Sequence, residues 1–377
     1  MGTMIKIFHT ADVHVGLKFT RGYPDSLQQA LVQERIAVIA RMADMANQEG
    51  CDLFVVAGDL FDSVKVSKKL LRETAESLAR FEGLVAVLPG NHDYAQEVDD
   101  PIWGTFADAI GERHLVLRQQ RPYDLGPFDI PAILYPGACT SRHSQDNAIG
   151  WISDAIDSCA RGQVRVGIAH GSLDGLSPDF HGDYYPMTRQ ELEAVDVHVW
   201  LLGHTHVRFP DQESGRGARI FYPSTPEPDG FDCRHPGYAW IIEVDESGPT
   251  QFRSVRTGTF QFDDVIESRV ESEAELNRIR RDFERFRGGR HLVKLRLQGR
   301  LDSDLLEQLS AILLELETFA EYLEINTDEL LRAIRQSDID NEFTEGSFPH
   351  RLLSALAQSP DDQLALQLGY DLVKEAR

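Results

Sequence analysis

Cysteine is scarce in this chain. Cys51, Cys139, Cys159 and Cys233 are spread over 377 positions with no Cys-x-x-Cys pair. That spacing excludes a disulfide framework and a thiolate metal site, and it leaves small neutral side chains suited to a reducing compartment. Long apolar runs are also missing, so no transmembrane helix is expected. The opening Met1-Gly2-Thr3-Met4-Ile5-Lys6 lacks the apolar segment of a signal peptide, and Lys6 stands where a myristoylation motif needs Ser or Thr. The expected location is cytoplasmic, with no membrane association.

Positive charge is in short supply. Lys and Arg total 38 against 61 Asp and Glu, for a formal net charge of −23. A protein that grips DNA by itself usually shows a basic surface, so this balance argues against strong autonomous nucleic-acid binding. Carboxylates that face bound divalent cations would have part of that charge offset locally.

What is present is an α/β pattern. The length, with 42% hydrophobic residues, allows one large core and a smaller second domain. Ile5–Phe8, Leu53–Ala57, Leu84–Leu88, Val164–Ala169 and Val197–Leu202 are apolar runs of strand length. Between the first two, Val32, Ile36, Ile39, Ala43 and Ala46 recur at helical spacing. A second helix is predicted over Ser67–Phe81, with Ser67 as its cap. Strands at Ile130–Tyr135, Arg219–Tyr222, Tyr238–Val244 and Gln251–Arg256 follow turn-rich segments and read as antiparallel. A two-sheet β-sandwich flanked by helices fits this order better than one doubly wound sheet.

The pattern changes after about Phe262. Helix is predicted at Glu271–Phe286 and Ser303–Glu315, and strand at Leu292–Leu297 and Tyr322–Ile325. Further helix is predicted around Glu329–Arg335, His350–Ala357 and Gln363–Ala376. The expected organisation is a catalytic domain over 1–262, a smaller α/β cap domain over 263–327 and a helical C-terminal tail over 328–377.

Five polar clusters each follow a predicted core strand. They are Asp12-Val13-His14, Gly58-Asp59-Leu60-Phe61-Asp62, Gly90-Asn91-His92-Asp93, His170, and Gly203-His204-Thr205-His206. Taken singly, an Asp after Gly is a turn residue, and a His at a strand end is a hydrogen-bonded structural group. Five such clusters in order, each behind an apolar strand, are not coincidence. Carboxylate, imidazole and amide oxygen donors together suit manganese, iron or zinc. One ion would not need so many; two ions sharing a bridging carboxylate would.

The order D-x-H, G-D-x-x-D, G-N-H-D/E, H, G-H-x-H resembles the calcineurin-like metallophosphoesterase superfamily over roughly residues 4 to 260. The resemblance implies that Asp12, His14 and His206 hold one divalent ion. Asn91, His170 and His204 then hold the second, and Asp59 bridges the two. Such a pair clamps a phosphate and provides a metal-bound hydroxide as nucleophile near neutral pH. His92, next to a ligand without being one, is expected to bind the phosphate and assist the leaving oxygen. Asp93 is expected to orient His92. Asp62 either supports the ligands or starts a helix.

Within the superfamily, three stretches are most similar to SbcD-type DNA repair exonucleases. These are His9-Thr10-Ala11-Asp12-Val13-His14-Val15-Gly16, Ala57-Gly58-Asp59-Leu60-Phe61-Asp62-Ser63 and Leu88-Pro89-Gly90-Asn91-His92-Asp93. Leu usually stands where Val15 does. His170-Gly171-Ser172-Leu173-Asp174-Gly175, followed by Tyr184-Tyr185-Pro186-Met187, resembles a bacterial branch of that group. The resemblance implies manganese as the metal, DNA as the substrate and an SMC-like coiled-coil ATPase as partner. A homodimer is left open.

The expected function is therefore that of a manganese-dependent DNA exo- or endonuclease of DNA repair. Two alternatives stand beside it. One is a small-molecule phosphodiesterase or phosphoprotein phosphatase, and the other is a non-catalytic scaffold for the ATPase. Arg278, Arg280, Arg281, Arg285, Arg287 and Arg290 cluster on and after the first helix beyond Phe262. They are either a phosphate-facing stretch or an ordinary solvated helix face.

Overall fold

Strand β1 (Ile5–Thr10) puts Ile5 and Ile7 on one face and Phe8 on the other. The following strands repeat the alternation. After helix α1 (Asp25–Gln48), strand β2 (Leu53–Ala57) sends Leu53, Val55 and Ala57 to the side of Ile5 and Ile7, and Phe54 and Val56 to the side of Phe8. After α2 (Lys68–Leu78), β3 (Leu84–Leu88) divides Leu84, Ala86 and Leu88 from Val85 and Val87 in the same way. A period of two with both faces apolar belongs to a sheet covered on both sides.

The computed structural model describes residues 4–20, 22–96, 100–156, 162–177, 179, 181–358 and 363–375. Two units divide the chain, Met1–Phe260 and Gln261–Arg377. The first continues through α3 (Pro101–Ile110), β4 (His114–Val116), β5 (Tyr123–Asp124), β6 (Ala132–Gly137), α4 (Ile152–Ile156) and β7 (Val164–His170). It then forms α5 (Arg189–Ala194), β8 (Val199–Gly203), β9 (Arg208–Phe209), β10 (Ser214–Gly215), β11 (Ile220–Pro223), β12 (Tyr238–Asp245) and β13 (Gly248–Arg256).

Two sheets result, ordered β10-β13-β12-β1-β2-β3-β4 and β5-β6-β7-β8-β11-β9. They share an interior that includes Ile5, Val55, Trp240, Val166, Ile168 and Leu201. Val38 and Met42 of α1, Leu71 of α2 and Trp103 of α3 cover the outer face of the first sheet. Ile152 and Leu192 pack with Trp200 and Leu202 outside the second. The architecture is a two-sheet sandwich flanked by helices. Because β1, β2 and β3 run parallel, as do β7 and β8, the loops that leave them within each sheet emerge at one edge.

Three local expectations are corrected. Strands β6 and β11 pair parallel with β7 and β8, not antiparallel, because the chain between each pair crosses over before it returns to the sheet. The buried face of α1 centres on Leu31, Arg35, Val38 and Met42, while Val32 and Ile36 lie at its edge. The third correction falls in the second unit, where Glu329–Arg332 is strand rather than helix.

That unit runs through β14 (Phe260–Val270), α6 (Glu273–Phe283), β15 (Arg290–Leu301), α7 (Ser303–Leu316) and β16 (Tyr322–Arg332), and the three strands form one sheet. Pairing with β15 continues as far as Leu301 and Arg332, and this overrides the helical propensity of Glu329-Leu330-Leu331. Helices α8 (Gln336–Glu342), α9 (Phe348–Ala357) and α10 (Gln363–Glu375) follow. They gather a separate small core of Ile339, Phe343, Leu353, Leu366 and Tyr370. Among the described residues no helix is long and apolar enough to cross a membrane. Cys51, Cys139 and Cys233 are free and buried, while Cys159 lies outside the described residues.

Candidate metal centre

The loops after β1 and β2 are stitched side by side. Asp12 N–H donates to the Gly58 carbonyl (3.1 Å), His14 N–H to the Asp59 carbonyl (3.0 Å) and Val15 N–H to the Leu60 carbonyl (2.9 Å). These bonds hold Asp12, His14 and Asp59 at φ of 54°, 51° and 51°, and His204 sits at 101°. Side chains seldom take that region, and such positions persist where surrounding structure fixes them, often at functional sites. Two motif glycines permit the close approach. A Cβ on Gly58 would lie 2.0 Å from His170 Nδ1, and one on Gly90 would lie 2.2 Å from Asp59 Oδ1.

Asp59 occupies the middle of the resulting cluster. Its Oδ1 accepts from His92 N–H at 2.9 Å. Its Oδ2 lies 3.6 Å from His14 Nε2 and 3.4 Å from His170 Nε2. On the His14 side, atoms of Asp12, His14 and His206 fall within 4.8 Å of one another. On the other side, Asn91 Oδ1 lies 3.0 Å from His170 Nε2 and 3.2 Å from His204 Nδ1. The structure thus brings together all seven side chains that the sequence singles out as ligands, in two groups that meet at Asp59.

The ring nitrogens are fixed from behind. His170 Nδ1 donates to the Ala57 carbonyl (2.9 Å), which leaves Nε2 facing Asp59 and Asn91. His206 Nδ1 lies 3.1 Å from Asp229 Oδ2, and its Nε2 is 3.9 Å from Asp12 Oδ1. The backbone N–H of His204 donates to both Asp12 carboxylate oxygens at 3.0 Å. Asn91 turns its Nδ2 to the Arg142 carbonyl (3.3 Å), so its Oδ1 points into the cluster.

Electrostatics mark a place for cations. Burial alone would lower the pKa of His170, but the Asp59 carboxylate outweighs it and carries the imidazole up to about 9. His206 also reaches about 9, because Asp229 and Asp12 overcome the effect of its burial. Burial presses the Asp59 carboxyl upward, yet His170 and His14 hold it well below the usual carboxylate range. His204, desolvated and beside His170, falls to about 3 and keeps its lone pair. Buried oxygen and nitrogen donors of this kind, around a shared carboxylate, fit two divalent ions.

His92 and Asp93 behave differently from each other. His92 Nδ1 meets the Asp62 carbonyl at 3.0 Å, and its ring stands 4.8 Å from that of His14, nearly perpendicular. A His92 nitrogen also falls within 4.8 Å of ligand atoms of His14 and Asp59. Asp93 does not orient His92 as expected. Its carboxylate accepts from Gly90 N–H (2.7 Å) and Phe61 N–H (2.9 Å), tying together the loops after β3 and β2. Complete burial pushes this carboxyl up to about 8. The Asp62 carbonyl takes the orienting position instead.

Two supporting residues escape sequence reasoning. Asp229 sits in a Pro-Asp-Gly stretch that reads as a plain turn. Arg35 is fully buried on α1, donates to the Val13 carbonyl (3.1 Å) and Thr225 Oγ1 (3.2 Å), and lies 4.0 Å from Asp229. An arginine in the midst of an apolar helix face was the available signal. The cluster opens on a cleft of about 310 Å³ that Leu17, Asp62 and Tyr184 also line.

The calcineurin-like phosphoesterase family model matches residues 5–208, which carry every one of these clusters. The chain belongs to that family. It is 27% identical over 218 residues to the uncharacterized metallophosphoesterase YhaO of Bacillus subtilis, covering 55% of this chain and 50% of that one. It is 26% identical over 229 residues to the SbcD component of the SbcCD nuclease of Staphylococcus epidermidis, covering 54% and 58%. It is 24% identical over 299 residues to the DNA double-strand break repair protein Mre11 of Methanopyrus kandleri, covering 73% and 62%. The chain thus matches between half and two thirds of the length of these relatives.

Proposed function

We propose that this phosphoesterase is a manganese-dependent nuclease that hydrolyses phosphodiester bonds in DNA during repair. The observation that carries the reading is the position of Asp59 Oδ2 between His14 Nε2 (3.6 Å) and His170 Nε2 (3.4 Å). That placement suits a carboxylate shared by two ions, one held with Asp12, His14 and His206, the other with Asn91, His170 and His204. Bound divalent ions supply Lewis acidity and charge compensation at a phosphoryl centre.

The protein's own residues do the rest. His92, held through Nδ1 by the Asp62 carbonyl, hydrogen-bonds the phosphate and passes a proton to the leaving oxygen. Asp93 keeps the loops of Asp59 and Asn91 in register. DNA as substrate is supported by the names of two relatives, a nuclease component and a double-strand break repair protein. An SMC-like coiled-coil ATPase is the partner that this kinship suggests.

The test is a side-by-side assay of the purified protein with manganese on end-labelled duplex DNA, a chromogenic phosphodiester and a phosphopeptide. Cleavage of DNA, lost on chelation and restored by manganese, is expected. Phosphopeptide hydrolysis with DNA intact makes the protein a phosphatase. Hydrolysis of the small diester alone makes it a small-molecule phosphodiesterase.

A further inference from the structure

A strongly acidic chain that acts on DNA needs a local place for the phosphate backbone. Of the six arginines singled out beyond Phe262, three are already paired, while Arg278, Arg281 and Arg285 are exposed without an ion pair among the described residues. Arg280 lies 2.8 Å from Glu315, Arg287 lies 2.9 Å from Glu284, and Arg290 lies 3.8 Å from Glu321. Partners that close neutralise much of what a phosphate would meet.

The start of α2 carries a second exposed basic group, in the segment that leaves the metal cleft. Lys65, Lys68, Lys69 and Arg72 fall within eight residues, and all four are exposed. Lys69 pairs with Glu73 at 3.5 Å. Lys65, Lys68 and Arg72 have no carboxylate at ion-pair distance among the described residues. Local helix physics does not favour this arrangement. The first turn of α2 carries no acid, and Lys68 and Lys69 sit where the helix macrodipole repels cations. Lys69 also precedes Glu73, the weaker order for such a pair. Cations kept against a local rule point to a use elsewhere.

Their position supplies that use. The segment leaves the metal cleft at Asp62, which lines it. The loop carrying His14 runs alongside, through the Val15–Phe61 bridge. Leu70 reaches within 3.8 Å of where a Cβ on Gly16 would stand. Beyond His204 and His206 the cleft continues into a hollow bordered by Asp179 and Asp232, which would repel a polyanion. The segment that leaves the cleft at Asp62 is therefore basic, while the hollow on the opposite side is bordered by acids.

We propose that Lys65, Lys68, Lys69 and Arg72 form a phosphate track that carries the DNA backbone of a duplex into the metal cleft along the α2 side. This rests on the nuclease reading above. Such contacts position the duplex without reading its sequence, and each releases counterions, which makes binding salt-dependent.

Fluorescence anisotropy with a phosphorothioate duplex, over a series of salt concentrations, tests this on the full-length protein. The K65Q/K68Q/R72Q variant is expected to bind at least about tenfold more weakly and to flatten the slope of log K against log salt by about 2 to 3. A charge-matched variant on α6 and the turn that follows it, R278Q/R281Q/R285Q, is expected to change little. The charge-preserving K65R/K68R/R72K variant is expected to bind like the wild type, and all three to keep the wild-type melting temperature and manganese content. Equal loss in the two charge-matched variants would show a net-charge effect and overturn the track. Loss only in the α6 variant would move the contact there. Loss in the charge-preserving variant would make the segment structural. A wild-type protein that binds no duplex would instead overturn the nuclease reading, and the track with it.

Discussion

Asp229 Oδ2 lies 3.1 Å from His206 Nδ1, on the side of the ring away from Asp12. A carboxylate behind a metal-binding histidine fixes its tautomer and raises its basicity. Asp229 is itself held near the buried Arg35, and the charges of His206 and Arg35 overcome burial to keep it ionised.

The Asp229→Asn variant should therefore bind manganese about 10 to 100 times more weakly at one of its two positions. Isothermal titration with manganese reads this directly, without reference to turnover. Two unchanged binding events would mean that His206 needs no such support.

His92→Ala should separate chemistry from metal binding. Turnover is expected to fall about 10²–10⁴-fold, the usual range for a proton-transfer group. Metal content should stay at the wild-type value. Loss of an ion would put His92 among the ligands, which its closeness to His14 and Asp59 makes the specific competing outcome.

His9 gives a pH prediction outside the metal cluster. Alternation along β1 places it on the inward face with Ile5 and Ile7, and it is fully buried. Burial lowers its pKa from 6.5 to about 3. Between those values the unfolded chain binds the proton and the folded chain does not, so stability rises with pH and is lost as pH falls from 6.5. One such group contributes a slope of up to about 1.4 kcal/mol per pH unit. Urea unfolding of His9→Leu between pH 7 and pH 5 should show a shallower loss than the wild type. An identical slope would mean that His9 takes up its proton in the folded state.

The clusters that converge around Asp59 were legible because each directly follows an apolar strand, and parallel strands deliver their following loops to one edge. Asp12, Asp59, Asn91, His170 and His204 all announce themselves that way. Asp229 did not, since Pro228-Asp229-Gly230 carries no mark that separates it from any other turn. Nor could adjacency in sequence reveal that Asp93 faces backbone N–H groups and that the neighbour of His92 is the Asp62 carbonyl. The strand at Glu329–Arg332 was hidden for a different reason. Its state is set by pairing with β15, a partner some thirty positions earlier in the chain (Leu301 opposite Arg332).

Whether Asp59 joins two metal ions is tested most directly by anomalous scattering from crystals grown with manganese. Two peaks per chain are expected, one beside Asp12, His14 and His206 and the other beside Asn91, His170 and His204, with Asp59 touching both. A single peak, or two peaks bridged by a different residue, would contradict a shared Asp59 carboxylate.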